Sequence, residues 1–240
     1  MNDRLRLALH PPATTEQADT SLRYTDILFG FVIRELFLRL QNWSQLNSGV
    51  RWHLIVGITL VLGSWIGFRR SLNRTTYDVK FFNLPLFRFL VDQGMLILYF
   101  RIAVLTKVDG TALPKPSELA ADTVRLVLLV FALYVVWDLL GIWMAKARAP
   151  ARAAGETEPR YPRLRDGKMT DPKEEQSINW AGFFISVAIL ATLAVLWLIN
   201  CRLDPKGLFL AVFLLLLAYR MTKEMRTSWQ ALNVLGASKR

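Results

Sequence analysis

The sequence predicts an all-α, polytopic six-helix transmembrane bundle, with both chain ends on the cytoplasmic side and a C-terminal amphipathic helix. Three observations predict it. Six apolar stretches divide the 240 residues, most of them near the length of about 20 residues that a bilayer-crossing helix needs. The segments between them alternate between poor and rich in Lys and Arg. Several tryptophans (Trp43, Trp52, Trp143, Trp180) stand near the ends of these stretches, where indole rings favour the membrane–water interface.

The expected spans are Tyr24–Gln41, Trp52–Phe68, Phe81–Leu105, Val124–Ala145, Ile178–Ile199 and about Leu203–Met221, with Arg202 and Lys206 both counted to the loop before the last span. Outside them, Lys and Arg number three in the N-terminal tail, then one, four, two, eight and two in successive loops, and four in the C-terminal tail. One side therefore holds nineteen and the other five. Positive charge stays cytoplasmic, which orients the bundle N-in and C-in. The same pattern accounts for the net charge of +11 without nucleic acid, since no basic face alternates with exposed aromatics. A lipid bilayer is the expected surrounding, with the bacterial cytoplasmic membrane the favoured location.

Residues 1–23 read as a flexible cytoplasmic tail, polar and broken by Pro11-Pro12. Only Leu7-Ala8-Leu9 follows Arg4 and Arg6 before His10, too short for a cleavable leader, so the first span is expected to act as an uncleaved anchor. Asp26, Arg34, Glu35 and Arg39 interrupt that span, and its apolar arc (Phe29, Val32, Ile33, Leu36, Leu40) would also suit a helix lying on the surface. Charge decides for crossing: otherwise Arg4, Arg6, Arg23 and Arg51 would face away from the basic 69–80 segment. The second span carries Gly63 and Gly67 one turn apart, a bare stripe that admits close helix packing. Leu84-Pro85 opens the third span, where a first-turn proline is tolerated.

Asp109-Gly110 marks a turn before the fourth span, and Ser117-Glu118 a helix start. Residues 146–177 form the one long connection. Four prolines, eight basic and six acidic residues make it a mobile cytoplasmic loop and the place for a protein partner. Asp171-Pro172-Lys173-Glu174 reads as an N-cap, a Pro at the first helical position and a Glu two residues on, opening the fifth helix. Spans five and six carry no ionisable residue in their centres and form a hairpin. The membrane domain thus covers 24–221. The tail 222–240 reads as a basic amphipathic segment on the inner surface, where Met221, Met225, Trp229, Leu232 and Leu235 recur at helical spacing beside Arg220, Lys223 and Arg226.

Chemistry, if any, rests on charges at depth. Each ionisable group at mid-membrane costs about 2.5–3.5 kcal/mol on insertion scales, so it needs a partner or a wet cavity. Arg34 and Glu35 fall near the middle of the first span and Asp92 near the middle of the third, with Arg88 four residues before it. Asp138 lies in the inner half of the fourth span and Asp26 at the inner end of the first. These six residues are the expected intramembrane pathway or ion-pair set, with Arg34, Glu35, Arg88 and Asp92 forming a network between helices one and three. A purely structural role, fixing helix register, is the competing account.

The two histidines are His10, in the tail, and His53, at a span end and expected to be solvated; they cannot build a haem or catalytic centre in the bilayer. The lone Cys201 excludes an internal disulfide. No metal, no cofactor and no enzymatic activity are expected.

Arg23-Tyr24-Thr25-Asp26 at the start of the first span, and Trp65 late in the second, resemble a family of six-helix potassium channels whose first helix opens with Arg…Phe-Ser-Asp. The resemblance implies six helices. Arg34, Glu35 and Arg39 stand where that family is apolar, and its His pair after the second-span Trp is absent, so no functional position is carried over. The sequence points to a channel or transporter for an ion or small polar solute, assembled as a homo-oligomer. Its competitor is a membrane-embedded sensor, effector or accessory subunit working through a cytoplasmic protein partner.

Overall fold

The computed structural model describes residues 15–72, 84–106, 115–153, 164–165, 168–169 and 180–237. These form six α-helices: α1 (Thr15–Leu40), α2 (Ser48–Leu72), α3 (Leu84–Val104), α4 (Pro116–Ala153), α5 (Trp180–Leu198) and α6 (Pro205–Ala237). A two-residue antiparallel ladder, β1 (Leu164–Arg165) with β2 (Lys168–Met169), is the only extended pairing among the described residues.

Local chemistry sets the helix starts. The Asn47 side chain accepts from the Val50 amide at 2.9 Å, capping α2. Asp204 accepts from the Lys206 and Gly207 amides at 3.1 and 3.4 Å, with Pro205 at the first helical position of α6. Pro116 opens α4, one residue before the expected Ser117-Glu118 start. Between α1 and α2, the Arg51 guanidinium donates to the carbonyls of Trp43 and Ser44, both at 3.1 Å, and lies over the Trp43 ring.

Four segments are long and apolar enough to cross a membrane: Ser48–Phe68 of α2, Pro116–Met144 of α4, Trp180–Leu198 of α5 and Pro205–Lys223 of α6. The chain is an integral membrane protein on that ground. The other two helices carry more charge, with Asp26, Arg34, Glu35 and Arg39 on α1 and Arg88, Asp92 and Arg101 on α3.

Three boundaries differ from the expectation. The first helix begins at Thr15, inside the segment read as a flexible tail, and acidic Glu16 in its first turn suits a helix N-terminus; residues 1–14 lie outside the described residues. Helix α4 runs eight residues past its span to Ala153. The amphipathic tail is not a separate surface helix: α6 continues unbroken to Ala237, because no Gly or Pro interrupts the chain between Gly207 and Gly236. The 171–174 helix start lies outside the described residues.

Contacts fix the helix directions. His53 meets Thr123, and Ser64 meets Tyr134, so α2 and α4 run parallel with one constant offset of 70 residues. Asp26 meets Trp65, and Leu36 lies beside Gly57, so α1 runs against α2. Arg88 stacks on Trp137 and Gly94 faces Leu133, so α3 runs against α4. Helix α5 runs against α4 through Ser186–Asp138 and Lys146–Trp180. Helix α6 follows α2, with Trp52 against Phe213 and Gly63 against Arg220. The core sits among α1, α2, α3, α4 and α6, where Leu36, Leu54, Tyr99, Ile102, Phe131 and Leu216 are buried. Lipid tails are as apolar as these side chains, so the association draws on close packing. At Gly57 an added Cβ would sit 3.1 Å from Ile102, which shows how near α2 and α3 approach. Helix α5 packs mainly on α4 and α6, leaving Phe184, Val195 and Leu198 outward.

Candidate functional site

The interior polar groups fall into two sets separated along the bundle axis. The first joins three helices at the end where α3 finishes. His53 is fully buried, with Nε2 2.8 Å from the Ile102 carbonyl and Nδ1 2.6 Å from the Thr123 hydroxyl. Ile102 lies among the last four residues of α3, whose carbonyls find no amide within their own helix. His53 supplies that missing donor, which fixes its tautomer as Nε2–H with Nδ1 facing Thr123. The expectation of a solvated histidine is thereby corrected. Position near a span end indicated exposure, but the α3 terminus and Thr123 enclose the ring.

The second set occupies the opposite half. Ser64 donates to the Leu60 carbonyl at 2.6 Å and is hydrogen-bonded to Tyr134, whose hydroxyl meets that of Tyr99 at 2.9 Å. One proton per hydroxyl gives the chain a direction: Tyr99 donates to Tyr134, Tyr134 to Ser64, and Ser64 to the backbone. Tyr219 extends the cluster, its ring stacked on Tyr134 at 6.0 Å and edge-on to Phe131 at 4.9 Å. The Lys223 ammonium rests 4.6 Å from the Tyr219 ring centre and 5.8 Å from that of Tyr134, within cation–π range.

The sequence-predicted residues are distributed as follows. Glu35 is half-buried and finds its cations on its own helix, Arg34 at 3.7 Å and Arg39 at 3.3 Å, the latter at the i,i+4 spacing. Arg34 points outward, with 67% of its side chain exposed, so α1 does not contribute it to the interior. Arg88 and Asp92 are both buried on α3. The Arg88 guanidinium lies 3.8 Å from the Trp137 ring centre and close to Gly141, so it faces α4, away from Glu35. Asp138 accepts from the buried Ser186 hydroxyl at 2.7 Å, tying α4 to α5. Asp26 accepts from Trp65 Nε1 at 2.9 Å, tying α1 to α2. Among the described residues no three His, Cys, Asp or Glu side chains converge as a metal site requires.

Gly63 and Gly67 do form a notch, and a side chain fills it. A Cβ on Gly63 would sit 2.5 Å from Arg220 Nε, and one on Gly67 2.8 Å from an Arg220 terminal nitrogen. The bare stripe of α2 is therefore the seat of the α6 guanidinium. Sequence reasoning counted Arg220 among the basic residues of the amphipathic tail, and passed over Tyr99, Tyr134, Tyr219 and Ser186. The available signal was the occurrence of three tyrosines within otherwise apolar helices, since a phenol at depth requires a hydrogen-bond partner.

No protein-family model, curated protein or solved structure matches this chain. Asp26 and Trp65, which carry the sequence resemblance to six-helix potassium channels, do touch each other, but no family is shown. The fold and interior define a multi-helix membrane protein with charged and phenolic side chains gathered in one half of its interior.

Proposed function

We propose that the protein is a six-span, N-in and C-in channel or transporter that moves an ion or small polar solute past its buried charges. One observation carries this reading. Arg88 faces α4, Asp138 faces α5 and Asp92 is buried, while Tyr134, Tyr219 and Lys223 continue the polar surface toward the end of the apolar part of α6. Groups that cost about 2.5–3.5 kcal/mol each at depth are retained where a hydrophilic species would need them. The alternating helix directions support six crossings, because α1 runs antiparallel against apolar α2 and α3 antiparallel against apolar α4. Arg34 then stands on the outer face of α1 among exposed Ile27, Phe31 and Phe37, which favours a further copy of the chain against that face. The lysine and arginine distribution supports a cytoplasmic location for both ends, and short loops favour the bacterial inner membrane.

Flux into proteoliposomes tests the reading. Native protein should carry monovalent-ion or small-solute flux that Asp92→Asn and Asp138→Asn alter several-fold. Unchanged flux in both variants, with normal insertion, would refute it.

A second reading has its own observation. Helices α4, of 38 residues, and α6, of 33, are about 57 and 50 Å long at about 1.5 Å per residue, against a hydrocarbon core of about 30 Å. Both extend past their apolar parts at their C-terminal ends, on the same side. A cytoplasmic protein partner could be held there by a sensor or accessory subunit. Replacing 146–177 with a neutral linker would abolish function under that reading and leave flux intact under the first.

A further inference from the structure

The side chain of Arg220 presents a problem of charge. It is half-buried, wedged in the Gly63/Gly67 notch, and lines a narrow cleft with Thr59, Tyr134 and Tyr219. Its guanidinium lies 5.7 Å from the Tyr219 ring centre, near the outer limit of cation–π range, where the ring replaces only part of its hydration. Among the described residues no carboxylate and no hydrogen-bond acceptor holds it. The nearby acid, Asp138, accepts from Ser186 on the other side. Lys223 follows one turn later on the same face of α6, its ammonium over the same two tyrosine rings. Two cations thus converge at the mouth of a phenol-walled cleft.

We infer that Arg220, with the charge of Lys223 beside it, forms a binding site for a phosphate group. A guanidinium offers up to five donors in a planar fork that matches phosphate oxygens, and an ammonium adds a second point charge. The cleft is narrow, so one phosphate oxygen enters beside Arg220 while the remainder of the ligand stays at the mouth. The notch explains why both glycines are needed: any side chain on either would push the guanidinium out of place. The position suits a phosphate at the membrane boundary, because Lys223 ends the apolar segment of α6. Two sources share this chemistry, the headgroup of an anionic lipid and a soluble phosphate.

Full-length protein in phosphatidylcholine nanodiscs separates them. Intrinsic tryptophan fluorescence, sensitive to Trp65 beside the notch, is followed during titration with inorganic phosphate, and separately across nanodiscs of rising phosphatidylglycerol content. Sodium chloride at matched ionic strength controls for screening. A response to phosphatidylglycerol alone assigns the lipid headgroup, and a response to inorganic phosphate assigns the soluble ligand. Either supports the site if Arg220→Gln weakens it at least about tenfold, as loss of a charge-assisted hydrogen bond would. Gly63→Ala keeps the charge but displaces the guanidinium, and should weaken binding similarly, which guards against a folding defect in the first variant. Arg34→Gln, outside the cleft, should bind as the native protein does. No response to either probe beyond the chloride control, or native-like binding by both Arg220→Gln and Gly63→Ala, would overturn the inference.

Discussion

Replacing His53 with Ala removes the group that joins α2, α3 and α4, and the structure allows the loss to be sized. The Ile102 carbonyl would be left buried beside the end of α3 with no donor, a cost of about 1–3 kcal/mol. Thr123, which donates to Nδ1 while the ring is present, can turn its proton to the Leu119 carbonyl at 2.6 Å, so its share is closer to the average of about 0.6 kcal/mol for hydrogen bonds between membrane helices. About 50 Å³ of unfilled space adds about 1 kcal/mol at about 24 cal/mol per Å³. The expected destabilisation is therefore about 3 kcal/mol. Reversible unfolding in mixed micelles, driven by rising dodecyl sulfate and followed by tryptophan fluorescence, measures it. A double-mutant cycle with Thr123→Val should return a coupling of about 0.5–1 kcal/mol. A change below about 0.5 kcal/mol in the single variant is what a solvated surface histidine would give. That result would refute the clasp.

The other predictions concern different contacts. Trp137→Leu removes the ring beneath the Arg88 guanidinium and should destabilise by about 2 kcal/mol, because the desolvated cation loses its aromatic face; equal stability by the same micelle titration would show that Arg88 is held otherwise. Leu193→Ala, fully buried against the rest of the bundle, should cost about 2–4 kcal/mol, whereas Leu198→Ala, 69% exposed on the same helix, should cost under about 0.5 kcal/mol; inverted values would mean that the outward face of α5 is the packed one. Asp204→Ala should cost about 1 kcal/mol by releasing two amides at the start of α6, and amide hydrogen exchange at Lys206 and Gly207 should quicken; unchanged exchange would remove Asp204 as the cap.

The sequence made the helices legible because apolar runs and charge asymmetry are properties of single segments. All six helices fall on the six apolar stretches, and the Pro116, Asn47 and Asp204 starts follow from ordinary capping chemistry. Ends were harder to read. Nothing in the charges of 222–237 separates a helix that turns onto a surface from one that continues straight, and only the missing breakers argued for continuity. The interior site was partly legible. A charge in an apolar run is visible, so Arg88, Asp92, Asp138 and Asp26 could all be named. Their partners were not, because which face of α3 meets α4 depends on rotation about the helix axis. Glu35 and Arg39 stand at i,i+4, yet the charge balance of α1 with α3 drew attention to a cross-helix pairing. The glycine pair was recognised as a notch, but its occupant lies 153 residues away from Gly67, on α6.

The two bonds between α2 and α4 have a mechanical consequence. His53 to Ser64 and Thr123 to Tyr134 are each eleven positions, about three full turns and about 16 Å of rise. Eleven residues in three turns come back to nearly the same azimuth on a helix, so both fastenings fall along one seam. Sliding either rod by a single residue, or twisting it by a fraction of a turn, breaks both fastenings at once. The pair is therefore a rigid spine, against which the remaining helices of the bundle are set.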